Sequence, residues 1–330
     1  MTRNRHIAGR TTAVLCATIA LTGLAAAPPE RLGPLVYVAN LHSDTVSVVD
    51  TRAGTVVDSI PVGDGPDSAA LSPDGSRLYV TDSAADTVSV VDTRTRAVVE
   101  TVGVGREPSR VTVSPDHRSV YVANVGAGTV SVISARTLAV TDTIAVGDAP
   151  LGLVVTPDGR TLYVANAGAD SVSVVRTDTG TVTGAFRVGG GPTALALAPD
   201  GRHLYVSNLT SDDVSVVDTR NGTETDRIPV GDQPTGIGVL PDGRRVYVAN
   251  LGSDDVSVIS TRSRTVTDTA PVGDGPNGLA VGPDGCTVHV SNFESDTLSV
   301  IDTSTSATAT VPVGDGPTGV AAHALGPAGA

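Results

Sequence analysis

The sequence predicts an all-β fold assembled from repeated four-stranded units, and three observations carry the prediction. A short aromatic motif recurs every 42 residues through most of the chain. Each copy holds four short runs in which apolar and polar residues alternate, the period of a strand with one buried face. The chain is rich in turn formers, with 37 Gly and 21 Pro in 330 residues, which long helices do not tolerate.

The motif reads Tyr37-Val38-Ala39-Asn40, Tyr79-Val80-Thr81-Asp82, Tyr121-Val122-Ala123-Asn124 and Tyr163-Val164-Ala165-Asn166. It continues as Tyr205-Val206-Ser207-Asn208, Tyr247-Val248-Ala249-Asn250 and His289-Val290-Ser291-Asn292. All six tyrosines occupy its first position, and His289 is the weak copy. Residues 66–104 illustrate the unit. Pro66 to Ser72 is a first strand, ended by the hairpin turn Ser72-Pro73-Asp74-Gly75, in which Pro presets φ and Gly takes the left-handed position. Leu78 to Thr81 is the second strand. A polar loop, Asp82 to Asp86, leads to the third at Thr87 to Asp92, and Thr93-Arg94-Thr95-Arg96 turns into the fourth at Ala97 to Val104. Gly105-Arg106-Glu107-Pro108 opens the next unit. No helical period is expected. Small residues such as Ser47, Ser89 and Ser131 are expected to let neighbouring sheets stack, with the tyrosines as the larger filler between them.

Four antiparallel strands per 42 residues make a propeller blade. The first copy begins with its second strand, Leu35 to Asn40, and the missing first strand stands at the far end, Pro317 to Ala322. The expectation is a seven-bladed β-propeller over 35–323, closed when the C-terminal strand completes the N-terminal blade. Closure matters because a single blade cannot bury both of its faces.

The Tyr-Val-Ala/Thr/Ser-Asn/Asp cores, the Ser-Pro-Asp-Gly turns and the Thr-Val-Ser-Val-Val-Asp-Thr strands resemble the YVTN-repeat β-propeller family across about residues 35–323. The resemblance implies an extracytoplasmic protein, as surface-layer members are. Related propellers include redox-enzyme subunits and lyases that open cyclic peptide antibiotics. The family shares no single catalytic set, so the resemblance implies no catalytic residue, and a propeller fold does not by itself specify a function.

The ends are read separately. Arg3, Arg5 and Arg10 precede an apolar stretch at 13–27 that ends in Ala25-Ala26-Ala27, the layout of a cleaved secretory signal peptide. Residues 28–34 form a short linker and 324–330 a tail. Cys16 has no lipobox before it. Cleavage leaves Cys286 as the only thiol, an inert turn residue, because no His stands near it as a base. All 22 basic residues are Arg, and the net charge is −13 at pH 7. So acidic a chain repels nucleic acid and anionic lipid. The expected product is a secreted monomer with no membrane insertion after cleavage.

Blade topology places the inter-blade connectors and the loops after the tyrosine motif on one face, the top. These loops carry 17 acids against two Arg, Arg106 and Arg110. Such a field favours cationic partners, and a divalent cation there is the only cofactor the pattern suggests. No spacing resembles a metal-ligand motif, and no phosphate loop or nucleophile elbow is present. Two residues after each connector proline the chain reads Ser68, Arg110, Gly152, Ala194, Gly236, Gly278 and Gly319, so Arg110 is the outlier in a narrow ring. The ligand site is therefore expected at the channel mouth. Arg106 and Arg110 would hold an anionic or carbonyl group, with Asp67, Asn277 and Gln233 beside them. Arg110 plugging the channel, paired with Asp67 or Glu107, is the competing reading. His42, Glu107 and Glu294 are the candidates for acid–base work; His42 and Glu294 belong to loops that a closed ring makes adjacent.

Two functions follow. A secreted binding or scaffold module at the cell envelope is favoured, because each loop keeps its length in all copies. A small-molecule lyase, isomerase or cyclase working at the same mouth is the alternative. A redox partner subunit is a weaker third, since no cofactor attachment motif is present.

Overall fold

The computed structural model describes residues 33–322. The signal-peptide reading of 1–27, most of the linker, His323 and the tail at 324–330 lie outside the described residues. The described residues form seven four-stranded antiparallel sheets. Blade 2 consists of Pro66–Leu71, Arg77–Asp82, Thr87–Asp92 and Ala97–Gly103, in that order from the inside out. Blades 3 to 7 repeat it, with innermost strands beginning at Pro108, Pro150, Pro192, Pro234 and Pro276. In blade 1, Pro317–Ala322 pairs antiparallel with Leu35–Asn40, placing Val38 opposite Val320 and Tyr37 opposite Ala321. The ring therefore closes through a sheet shared by both ends of the described chain.

The core lies between blades. Tyr37 packs with Leu78, Val80 and Val91 of blade 2, and Tyr79 with Val120, Val122 and Ile133 of blade 3. Tyr205 and Tyr247 each do the same one blade further on. None of the six tyrosines is more than 4% exposed. Burying each ring is worth about 1.5–3 kcal/mol.

The serines expected as spacers have a more specific role. Asn40 Nδ2 donates to Thr45 Oγ1 and Ser47 Oγ at 3.1 and 2.9 Å. Asn124, Asn166, Asn208, Asn250 and Asn292 donate to the equivalent serines. In several blades the serine then accepts the connector amide that leads in from the previous blade, as Ser47 does from Gly314 and Ser215 from Gly189. The wholly buried motif asparagine thus orients, through its amide group, the serine that holds the inter-blade connector. At Asn166 its Oδ1 accepts the Gly147 connector amide directly at 3.1 Å, while Oδ1 of Asn40, Asn124, Asn208, Asn250 and Asn292 has no partner among the described residues.

One sequence expectation is refined and one corrected. Three-residue 3₁₀ turns form at Val125–Ala127 and Ala167–Ala169 in the top loops of blades 3 and 4, too short to carry a helical period. The copies are also not uniform in length. Blades 1 to 6 carry a bulge between the third and fourth strands, as at Val90/Val91. Blade 7 has none, and its outer strand, Thr308–Pro312, has 5 residues where the others have 7. Deleting one residue here removes the extra residue that a bulge requires.

Candidate functional site

The innermost strands line a central channel with a cavity of about 150 Å³. Its wall is built from the positions two and three residues beyond each connector proline, among them Ser68, Arg110, Gly152, Ala194 and Gly236. Arg110 is the one charged side chain among these lining residues, as the sequence pattern indicated. The glycines in this ring have a packing cause. A Cβ on Gly236 would stand 2.6 Å from the Asn277 carbonyl oxygen, and one on Gly319 2.5 Å from Ser68 Cα. Neighbouring inner strands approach too closely there for a side chain.

One residue nearer the mouth, most blades carry a hydroxyl that crosses the seam. Thr235 Oγ1 donates to the Pro276 carbonyl at 3.1 Å, and Thr318 Oγ1 to that of Pro66 at 3.1 Å. Ser109 and Thr193 occupy the same slot and donate to Pro150 and Pro234. Asp67 and Asn277 stand in this slot without such a bond, both part-buried. Desolvation pushes the Asp67 pKa up, and the Arg110 guanidinium on the adjacent blade pulls it partly back. Arg110 acts on Asp67 through space. Among the described residues no ion pair joins Arg110 to Asp67 or Glu107, so the expected plug does not form by direct pairing.

The other candidates divide. Arg106 is exposed and donates from Nη2 to the Gly126 carbonyl in its own blade's top loop. Glu107 is exposed beside it, its carboxylate against Gly126. Both are held at the rim, away from the residues that line the channel. Gln233 is exposed in a left-handed connector position (φ 53°). His42 meets Phe293 edge-on, ring centroids 5.3 Å apart, so closure does bring the first and seventh loops together. His42 lies over Gly316, however, and Glu294 over Gly275, on two different connectors. No His42–Glu294 ion pair forms among the described residues, and the acid–base couple is not assembled.

Many top-face acids have a backbone duty that spacing alone did not reveal. Asp44, Asp86, Asp170, Asp212, Asp254 and Asp296 each accept the amide of the residue before a connector proline, at 2.8–3.0 Å. Each of the six is itself left-handed, with φ between 47° and 57°. They cap the connectors. Among the described residues no three His, Cys, Asp or Glu side chains gather as ion ligands. The recurrence of Asp 21 residues before the capped position, 20 in the shortened seventh blade, was the available signal.

Solved structures with this architecture are numerous, and their similarity shows the fold. A Desulfotomaculum acetoxidans protein of unknown function matches with a TM-score of 0.78 at 20% identity, covering 87% of this chain and 98% of its own. The hydrazine synthase of Kuenenia stuttgartiensis gives 0.74 at 23% identity, covering 87% and 99%. A Bacteroides uniformis protein provisionally described as a 6-phosphogluconolactonase gives 0.74 at 20% identity, also covering 87% and 99%. No curated protein matches the chain. The family described as lactonase, seven-bladed β-propeller, matches over residues 27–187, 135–228 and 179–266, more than half of the sequence. The chain belongs to this seven-bladed β-propeller lactonase family.

Proposed function

We propose that the protein is a secreted, YVTN-type ligand-binding propeller whose site is the channel mouth, with Arg110 and Asp67 as its polar pair. The ligand is a small molecule presenting a carbonyl oxygen or a single carboxylate. The observation that carries this reading is one guanidinium in an otherwise uncharged channel wall, beside a carboxyl whose burial favours its protonated form. A guanidinium in such a site makes charge-assisted hydrogen bonds to oxygen. A protonated Asp67 would not repel a bound carboxylate. The acidic rim opposes multiply charged anions, so a phosphorylated ligand fits poorly.

Lactone hydrolysis is the second reading, favoured by the family match. An ionised Asp67 would take a proton from water as the water oxygen attacks the lactone carbonyl carbon. Arg110 would stabilise the oxyanion. The ring C–O bond then breaks, the ring oxygen takes up a proton, and a hydroxy acid results.

A sugar lactone and its hydroxy acid, each titrated against the protein across pH, separate the two. Binding alone predicts hydroxy-acid affinity that falls as pH rises and Asp67 ionises, with no turnover. Hydrolysis predicts turnover that rises with pH. Arg110→Ala is expected to weaken binding about tenfold or more in either case. Unchanged affinity removes Arg110 from the site.

A further inference from the structure

At the seam between blades 7 and 1, two repeat positions carry residues found at the same place in no other blade and a third lacks the arginine of blades 2 and 6, all toward the bottom face and away from the channel mouth. His289 replaces the motif tyrosine. Gly282 stands where the bottom turns of blades 2 and 3 have Ser72 and Ser114. Thr287 stands where blades 2 and 6 have Arg77 and Arg245. Those two arginines reach across their seams to the carbonyls of Ala135 and Thr303. Thr287 instead bonds its own neighbour, His289 Nε2, at 3.0 Å.

The result is a cavity of about 280 Å³ with walls of Pro34, Leu35, Val36, Pro283 and Ala322. His289 and Thr51 supply polar groups to it. His289 is 2% exposed, and its Nδ1 has no hydrogen-bond partner. Burial holds the ring neutral, its pKa pushed down to about 4. A cleft at the seam of blades 5 and 6 keeps its tyrosine, Tyr205, and presents Asp200, Asp242, Arg262 and Arg264, which makes it a solvated groove.

The intact seams indicate what the cavity would accept. In two of them the tyrosine hydroxyl stands near a threonine of the next blade, Tyr121 near Thr177 and Tyr163 near Thr219, whereas the Tyr247 hydroxyl has no partner among the described residues. Thr51 is the equivalent residue facing His289. Its Oγ1 donates to the Pro34 carbonyl at 3.0 Å, which leaves its lone pairs free to accept. The imidazole is shorter than a phenol and does not extend to it. We propose that this seam is a binding site for a neutral, single-ring phenol, whose hydroxyl donates to Thr51 Oγ1 while its ring lies among the apolar walls. Apolar cavities of about 150 Å³ already admit benzene, so the volume suffices. Asp284 at the rim disfavours a phenolate.

The test is an NMR chemical-shift titration of the full chain with p-cresol, and with toluene as the ring lacking the hydroxyl. Saturable p-cresol binding is expected, with toluene about tenfold weaker. Thr51→Val should bring p-cresol down to the toluene affinity. His289→Tyr should abolish p-cresol binding and raise Tm, because the new side chain fills the slot. The proposal is overturned if p-cresol does not saturate, if toluene binds equally well, or if His289→Tyr binds like the parent.

Discussion

Asp82 shows how one atom exchange alters the chemistry of a repeated position. Six blades have asparagine here, donating to two side chains. The Asp82 carboxylate instead accepts from Thr87 Oγ1, Ser89 Oγ and the Gly63 amide. Its pKa lies above the ordinary 3.8 because burial outweighs these three donors. The native state therefore holds this proton more tightly than the unfolded chain does. The group's stabilisation is complete below pH 3.8 and is lost as pH rises through the raised native value. Asp82→Asn should restore the pattern of the other blades and add about 1 kcal/mol at pH 7, a rise of about 2 °C in Tm, with little change at pH 3. Thermal melts at the two pH values check the sign. Equal shifts at both would show that ionisation is not the cause. Arg110 was legible at this scale because it breaks a run of small residues. The commitments of Arg106 and Glu107 were not, because the strand and connector directions that turn them to the rim are not local properties.

At the scale of the element, the connector is the part whose geometry most constrains sequence. The residue before each connector proline is left-handed, and four blades put Gly there (Gly65, Gly191, Gly275 and Gly316). Glu107, Ala149 and Gln233 adopt the same conformation with a side chain. A left-handed non-glycine residue costs about 1–2 kcal/mol, partly offset by the greater freedom glycine has when unfolded. Gln233→Gly should therefore raise stability by about 0.5 kcal/mol in a denaturant titration and leave channel binding unaltered. Asp212→Ala acts oppositely. It strips the carboxylate from the Gln233 amide and leaves another β-carbon at φ 53°, lowering stability by about 1–2 kcal/mol. The missing bulge of blade 7 belongs here too. The 41-residue step from Pro276 to Pro317 was present in the sequence, masked by the constant spacing of the tyrosine motif, which lies before the deletion.

Over the whole molecule, stability depends on ring closure, because every blade buries its faces only against its neighbours. Ala321 is 7% exposed and packs with Tyr37. Ala321→Asp would bury an unpaired charge at the closing sheet and should cost about 3 kcal/mol. Ala309→Asp, on the exposed outer strand of blade 7, should change stability by less than about 0.5 kcal/mol. Equal losses in chemical denaturation would contradict the closing role of the last strand. The strands, the blade number and the closing pair were all readable from the chain, because alternation and turn chemistry are local and the 42-residue period repeats them seven times. The site was decided by the tertiary structure. Sequence spacing places charged residues on a face, but only the packing of seven blades determines which side chain enters the channel and which carboxylates serve backbone amides. The same packing decides where a shortened side chain leaves a void, since each of these is a contact between residues that the chain itself holds far apart.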